Sequence, residues 1–318
     1  MANKNTRWAA PQDLAKDLSA NTYIVTGANS GVGLETARQL VKQGAHVVMA
    51  CRRVEAGEAA AKDFTGRGTT EVMACDLASL ATVRAFVNAF LTRHQRLDGL
   101  MCNAGLVVME GEARYTVDGL EETIAVSYFG HFLMTELLLD TLKASAPARV
   151  GILSSVVHAG GPNSRPQLDL DDLNYRKRKF SGFGVYADTK VATNLYAQEL
   201  GKRLAGTGVV SGAIHPGWAR SNFGGDGLMM RVVRLMLKPF QGMLTDSNEA
   251  SAQTSLHFLL NDDVPQHPGA YWSQHSVLYR DKGTRAGGWP MTSPNPHARD
   301  METAEKLVEI SRQLVGLN

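Results

Sequence analysis

Thr22-Tyr-Ile-Val-Thr26 runs directly into Gly27-Ala-Asn-Ser-Gly31-Val-Gly33. The first five residues are apolar or β-branched, the composition of a short buried strand. Gly33 to Gln43 follows with helical periodicity. Glycines let the backbone turn tightly and approach a pyrophosphate, whose charge is favoured at the N-terminus of the next helix. A glycine triplet alone says little. Between a strand and a helix, it predicts a dinucleotide site over Gly27, Asn29, Ser30, Gly31, Val32 and Gly33.

The same rhythm continues downstream. Strand-like runs at Ala45–Cys51, Glu71–Cys75, Leu97–Cys102, Arg149–Ser154, Val209–His215 and Gly269–Ser273 follow the first one. Helix-like segments lie between them at Val54–Phe64, Leu80–His94, Leu120–Ala144 and from Tyr186 to about Leu204. Alternation of this kind predicts an α/β fold, a Rossmann-like doubly wound parallel sheet of about seven strands with helices on both faces. Residues 1–318 read as one such domain, with an N-terminal extension over 1–21 and a helical C-terminal tail over 280–318 closed by Met301–Val315. Two segments break the rhythm. Val156–Val185 is a thirty-residue insertion rich in Gly, Pro, Arg and Lys, and Gly224–Thr245 reads as a substrate lid. Loops of that length inside a compact domain are usually functional.

Composition narrows the function classes. The 318 residues are 44% hydrophobic and 20% charged, as in ordinary globular proteins. A net charge of +2, with the basic residues spread along the chain, gives no reason to expect a nucleic-acid partner. The three cysteines, Cys51, Cys75 and Cys102, form no CxxC pair and read as buried free thiols of a reducing compartment. The nine histidines show no metal-ligand spacing, so no metal is expected. A polar N-terminus and the lack of a membrane-length apolar run point to a cytoplasmic protein.

The strand ends specify the ligand further. A carboxylate after the second strand would bind the ribose 2′-hydroxyl of NAD, but this chain has Cys51-Arg52-Arg53 there. Guanidinium groups suit a 2′-phosphate, so Arg52 and Arg53 predict NADP(H). Asp76-Leu77 ends the third strand, where a carboxylate can accept from the adenine amino group, and Asn103-Ala104-Gly105 lets the backbone pass close to the adenosine. Ser155 follows the fifth strand, and Tyr186-Ala-Asp-Thr-Lys190 lies on the next helix. At about 3.6 residues per turn, Tyr186 and Lys190 project from one face. The ammonium is expected to lower the phenol's pKa, so that Tyr186 can exchange a proton with a carbonyl or alcohol oxygen that Ser155 polarises.

With these residues in place, the chain resembles the short-chain dehydrogenase/reductase family. The resemblance rests on Thr26-Gly-x-x-x-Gly-x-Gly33, Asp76, Asn103-Ala-Gly105, Ser155, Tyr186-x-x-x-Lys190 and Pro216-Gly217, and covers roughly residues 22–222. It implies hydride transfer at a nicotinamide, with Tyr186 as acid/base, Lys190 also on the nicotinamide ribose, and Pro216 and Gly217 against the nicotinamide. It also implies a monomer, or a homodimer paired through the helices carrying Tyr186 and Gly130. Cys51-Arg52, Gly130-His-Phe132, Ser145-Ala-Pro-Ala-Arg149, Ala197-x-Glu-Leu-x-Lys-Arg203, His215-Pro-Gly217 and Ser293 through Gly316 look like the retinol dehydrogenase branch. The insertion, Lys238-Pro-Phe-Gln241, Tyr271-Trp-Ser273 and the tail are similar to light-dependent protochlorophyllide reductases. Two positions depart from these patterns. Ser127 stands near where both groups carry a relay asparagine, so either Ser127 substitutes for it or the relay differs. Trp218 stands where the light-driven enzymes carry a cysteine.

The expected reaction is NADP(H)-dependent hydride transfer to or from a lipophilic carbonyl or alcohol, such as a retinoid-like aldehyde. Reduction of a carbon–carbon double bond in a tetrapyrrole-like ring, or a non-catalytic NADP(H)-binding sensor, are the alternatives. Trp218 and His158 are further substrate-pocket candidates, with Ser154 a second choice to Ser155. Gly227–Phe240 places Arg231, Arg234 and Lys238 on one helical face amid Leu, Met and Val. That pattern suits a wall for an apolar substrate, a peripheral contact with a membrane surface, or a lid packed on its own core. The basic run Arg176-Lys-Arg-Lys179 reads as a solvated loop.

Overall fold

The computed structural model describes residues 5–161, 165–219 and 246–317. The expected lid over 224–245, including 227–240, lies outside the described residues.

Eight strands make one sheet in the order β3-β2-β1-β4-β5-β6-β7-β8. They are β1 (Thr22–Thr26), β2 (His46–Cys51), β3 (Thr69–Ala74), β4 (Gly99–Cys102), β5 (Ala148–Leu153), β6 (Val209–His215), β7 (Tyr271–Ser273) and β8 (Gly288–Met291). The first seven pair in parallel, with Ile24 opposite both Val48 and Leu100. β8 runs antiparallel to β7 and was not expected. Gly288-Trp-Pro-Met291 shows no alternation and contains a proline, which a sheet tolerates at its edge, where the missing N–H is harmless.

Side chains alternate across this sheet with a period of two. Ile24, Val48 and Ala50 enter one apolar layer, under α3 (Leu80–Arg93), α4 (Gly130–Ala144) and α5 (Gly182–Arg203). Val25, Val47 and Met49 enter the other, under α1 (Gly31–Lys42) and α6 (Asn248–Leu260). A short helix, α2 (Val54–Ala61), packs on β2 and β3. α6 escapes the sequence pattern because polar residues interrupt its inward face: Ser251, Gln253, Thr254 and Ser255 are buried among Ala250, Ala252, Leu256 and Phe258.

Two other elements differ from expectation. The helix expected from Leu120 to Ala144 is broken into a turn over Glu122–Ile124, a π-helical turn over Ala125–Phe129, and α4. α5 begins inside the insertion, four residues before Tyr186, with Ser181 capping the Gly184 N–H. The tail ends in α7 (Met301–Leu314), which packs along α5. Buried Glu136 on α4 fixes that docking: it accepts from Tyr196, from both terminal nitrogens of Arg203, and from Arg312 of the tail at 3.0 Å. The N-terminal extension is also tied down, through Arg7 N–H to Gln274 Oε1 at 2.7 Å and Thr6 Oγ1 to Asp246 Oδ1 at 2.8 Å.

Candidate active site

A cleft of about 640 Å³ opens at the C-terminal ends of the parallel strands, where the strand order reverses between β1 and β4. Thr26, Gly27, Asn29, Ser30, Gly31 and Val32 line one end. Gly27 and Gly31 adopt φ +65° and +61°, which disfavour any side chain. A Cβ on Gly27 would stand 3.0 Å from Ala104, whereas around Gly31 the space is open for a ligand. Gly33 lies beneath the floor, where a Cβ would come within 2.4 Å of Asn103 Nδ2. Ser30 is the N-cap of α1 but its side chain makes no capping hydrogen bond, and the first turn carries no acidic residue. Its amides are therefore suited to an anionic ligand.

Thr26 fastens the next part of the rim. Its hydroxyl accepts from the Asn103 and Ala104 amides, both at 2.9 Å, while Asn103 Nδ2 donates to the Thr26 carbonyl at 2.9 Å. The hydroxyl also sits 2.8 Å from His131 Nε2. Burial, with the nearby Lys190 charge, pushes His131 down to about 3, so its ring is neutral. Arg52 lines the cleft at the end of β2, as do Asp76, Leu77, Ala104 and Gly105. Arg53 does not: it occupies the N-cap of α2. The two expected arginines are thus separated, because the chain bends at Arg52 and Arg53 just before α2 begins at Val54.

The other end gathers Ser154, Ser155, Tyr186, Lys190, Pro216, Gly217 and Trp218. Ser155 caps a short 3₁₀ turn and hydrogen-bonds the Tyr186 phenol. Ser154 is engaged elsewhere, accepting from Asn194 Nδ2 at 2.6 Å. Lys190 Nζ donates to the Leu153 carbonyl at 2.6 Å and stands 5.6 Å from the Tyr186 ring centre. The expected lowering of the phenol is absent. Burial pushes Tyr186 up to about 12, the Ser155 hydrogen bond opposing it only in part, and burial pushes Lys190 down to about 7. The cause is desolvation: two groups in an apolar wall both favour their neutral forms.

Three other expectations are corrected. Ser127 does not face the cleft. Its hydroxyl donates to the Leu106 carbonyl at 3.2 Å and accepts from the Leu106 amide at 3.3 Å, pinning the loop after Asn103. His158 does not line it either, being fully buried behind Ser155. Its Nδ1 lies 2.6 Å from the Ser155 carbonyl, an acceptor, so Nδ1 carries the proton and Nε2 accepts from Ser293 Oγ at 2.8 Å. The run 176–179 is only partly a solvated loop. Arg178 bridges Asp172 and Asp188 and stacks on Tyr175, while Arg176 covers the Tyr115 ring at 3.7 Å.

Several residues in or behind the cleft wall carried no expectation of their own. Asn194, one turn past Lys190, donates to Ser154 and to the Lys190 carbonyl, and its buried Oδ1 has no hydrogen-bond partner among the described residues. The spacing of Tyr186, Lys190 and Asn194 on one helix face was the available signal. His215, quoted only as part of a motif, is buried in the cleft wall and pushed down to about 3, chiefly by burial. Val107, Met109, Phe183 and Leu278 complete an apolar wall near Trp218, drawn from segments far apart in sequence.

A family model described as short chain dehydrogenase matches residues 21–165. Mouse retinol dehydrogenase 13 is 37% identical over 305 residues, covering 94% of this chain and 85% of the relative. The chain belongs to the short-chain dehydrogenase/reductase family. Human dehydrogenase/reductase SDR family member 13 is 38% identical over 308 residues, covering 95% and 74% of the two chains. Among solved structures, an uncharacterized protein from Mycobacterium paratuberculosis matches with a TM-score of 0.75 at 30% identity, covering 98% of this chain and 99% of the other. The family consists of NAD(P)(H)-using oxidoreductases, and this member resembles its retinol dehydrogenases. The three cysteines are buried and unpaired, as expected, and burial raises their thiols to about 11 or 12. None of the described helices is long and apolar enough to cross a membrane.

Proposed function

We propose that the protein is an NADP(H)-dependent carbonyl reductase or alcohol dehydrogenase for a lipophilic substrate, with Tyr186 as the proton-transferring group. The observation that carries this reading is the shared cleft: an uncapped helix terminus and Arg52 at one end, and Ser155, Tyr186 and Lys190 at the other. Gly31 leaves room where phosphates would lie, so the residues fit a dinucleotide. A bound nicotinamide supplies or takes up the hydride. The chain supplies the rest. Ser155 donates to the substrate oxygen as negative charge gathers on it. Tyr186, held protonated at neutral pH, gives that oxygen its proton on reduction and is recharged from solvent. Lys190, oriented by the Leu153 carbonyl, supplies adjustable positive charge and a hydrogen-bond donor beneath the phenol. Arg52 favours a 2′-phosphate over a bare ribose.

The apolar wall of Val107, Met109, Phe183, Trp218 and Leu278 supports a substrate with a long or bulky hydrocarbon body. The retinol dehydrogenase relatives make a retinoid aldehyde the first compound to assay. α7 packs along α5 and reaches α4 through Arg312 and Glu136; a family homodimer would pair through these two helices, and this supports a monomer. The deciding experiment is Tyr186→Phe, assayed as NADPH oxidation with retinoid, steroid and long-chain aldehydes. The substitution should lower kcat/KM about 1,000-fold and leave NADPH binding unchanged. A mutant that turns over like the parent would remove Tyr186 from the chemistry.

A further inference from the structure

At the opposite end of β2 and β3 from the cleft, His46, Glu71 and His94 converge from two strands and the end of α3. We propose that they form a binding site for a divalent ion of the zinc class, held by His46 Nε2, His94 Nε2 and Glu71 Oε2 with water as the fourth ligand. Two imidazoles and one carboxylate are a donor set that zinc accepts readily. Nothing in the spacing of these residues announces a site, because β2, β3 and α3 bring them together only in the folded chain.

The geometry is close to what such an ion needs. With metal–ligand bonds of about 2.0–2.1 Å, tetrahedral donor atoms stand about 3.3 Å apart. Here His94 Nε2 is 2.8 Å and His46 Nε2 is 3.9 Å from the same oxygen, Glu71 Oε2. All three donor atoms lie within 4.8 Å of one another. The two rings are tilted at a centre-to-centre distance of 5.0 Å.

The decisive atom is His46 Nε2, which is shielded from solvent and has no hydrogen-bond partner among the described residues. His46 Nδ1 lies 2.7 Å from Thr69 Oγ1. If Nδ1 donates there, Nε2 turns a lone pair towards a carboxylate oxygen. Two acceptors facing each other in a partly desolvated site are balanced by a cation between them.

The surroundings are those of a supported site. Thr69 fixes one imidazole, and Arg93 holds Glu71 Oε1, leaving Oε2 to face the histidines. Contacts of this outer kind set ligand orientation and commonly change metal affinity tenfold or more. The three side chains are 17–29% exposed, so an ion and its water can enter. About 17 Å of β2 separates His46 from the strand end beside Arg52, so the expected role is a staple between the sheet edge and α3.

Tag-free protein stripped with chelator should be titrated with Zn²⁺ at pH 7.5 by calorimetry and thermal scanning. One ion per chain should bind, and a hundredfold excess over Kd should raise Tm by about 3 °C, with no response to Mg²⁺. His94→Gln should abolish the shift. Thr69→Val keeps all three ligands and should weaken binding about tenfold, which tests the site even if a histidine variant folds poorly. Co²⁺ should give the visible absorption of a tetrahedral site. Absence of stoichiometric Zn²⁺ uptake by the parent, or equal uptake by His94→Gln and Thr69→Val, would overturn the assignment.

Discussion

The two walls of the cleft are built on different plans. On the β1–β4 side, small residues and backbone groups do the work: Thr26 alone fastens two amides of the Asn103-Ala-Gly105 turn, and glycine fills each point of close approach. On the Tyr186 side, large side chains dominate, and Trp218, Phe183 and Leu278 remain 43%, 56% and 54% exposed. A dinucleotide presents the same phosphates and riboses to every protein that binds it, so its wall can be compact and repetitive. The apolar substrate proposed above would offer shape instead of fixed charges, in keeping with a wall that is open and assembled from scattered loops. The contrast predicts that perturbing the first wall changes cofactor choice, while perturbing the second changes the substrate.

The largest effect should come from pH, which acts at the junction of the two walls. Because burial holds the phenol near 12, Tyr186 is protonated at pH 7 and ready to donate. Alcohol oxidation needs the phenolate, whose fraction rises with pH below that value. Oxidation should therefore accelerate by up to about tenfold per pH unit from pH 7 to 9, while carbonyl reduction stays nearly flat over the same range. Initial rates in both directions would check this. Flat oxidation would show that another group accepts the proton.

Next in size is Arg178→Ala, which tests how the insertion supports the second wall. Arg178 joins Asp172 and Asp188, both largely buried, and its loss leaves their charges uncompensated. Because the guanidinium is itself about one-third exposed, the expected loss is about 2 kcal/mol of unfolding free energy, less than for a fully buried pair. Denaturant melts would measure it. Smaller again is Arg52→Ala, confined to the first wall. It should raise KM for NADPH about tenfold and leave KM for NADH unchanged. Equal effects on the two cofactors would mean that the arginine does not read the 2′-phosphate.

How much was legible follows the same division. The glycine-rich turn after β1, Asp76 and Asn103-Ala-Gly105 sit at ends of strands whose local patterns are clear, and β1 and β6 run over the ranges their composition suggests. Tyr186 and Lys190 were readable because one helix carries both. Long-range partners were not readable. His158 sits just after Ser155 in sequence and suggested a pocket residue, yet its bond to Ser293, 135 residues away, makes it a strut. Ser127 is likewise spent on Leu106. α6 stayed hidden because Ser251, Gln253, Thr254 and Ser255 interrupt its buried apolar residues, and polar residues inside weaken the periodic apolar signal. The sign of the tyrosine shift also eluded the sequence, since spacing reports the neighbouring charge but not the desolvation that outweighs it.

The smallest effect is expected at Trp218, and it discriminates most sharply between the two walls. Its indole lines the cleft beside Gly217, whose φ of +88° sets the direction of the chain there. Being 43% exposed, it can surrender only part of its apolar surface to a ligand. Removing it should cost about threefold to tenfold in kcat/KM for a bulky apolar aldehyde, by raising KM. A short aldehyde that never reaches the indole should be reduced as before, and NADPH affinity should not move. If Trp218→Ala instead weakened NADPH and spared the bulky aldehyde, the indole would belong to the cofactor's wall. The boundary between the two plans would then lie beyond Gly217, on the loop side of the tryptophan.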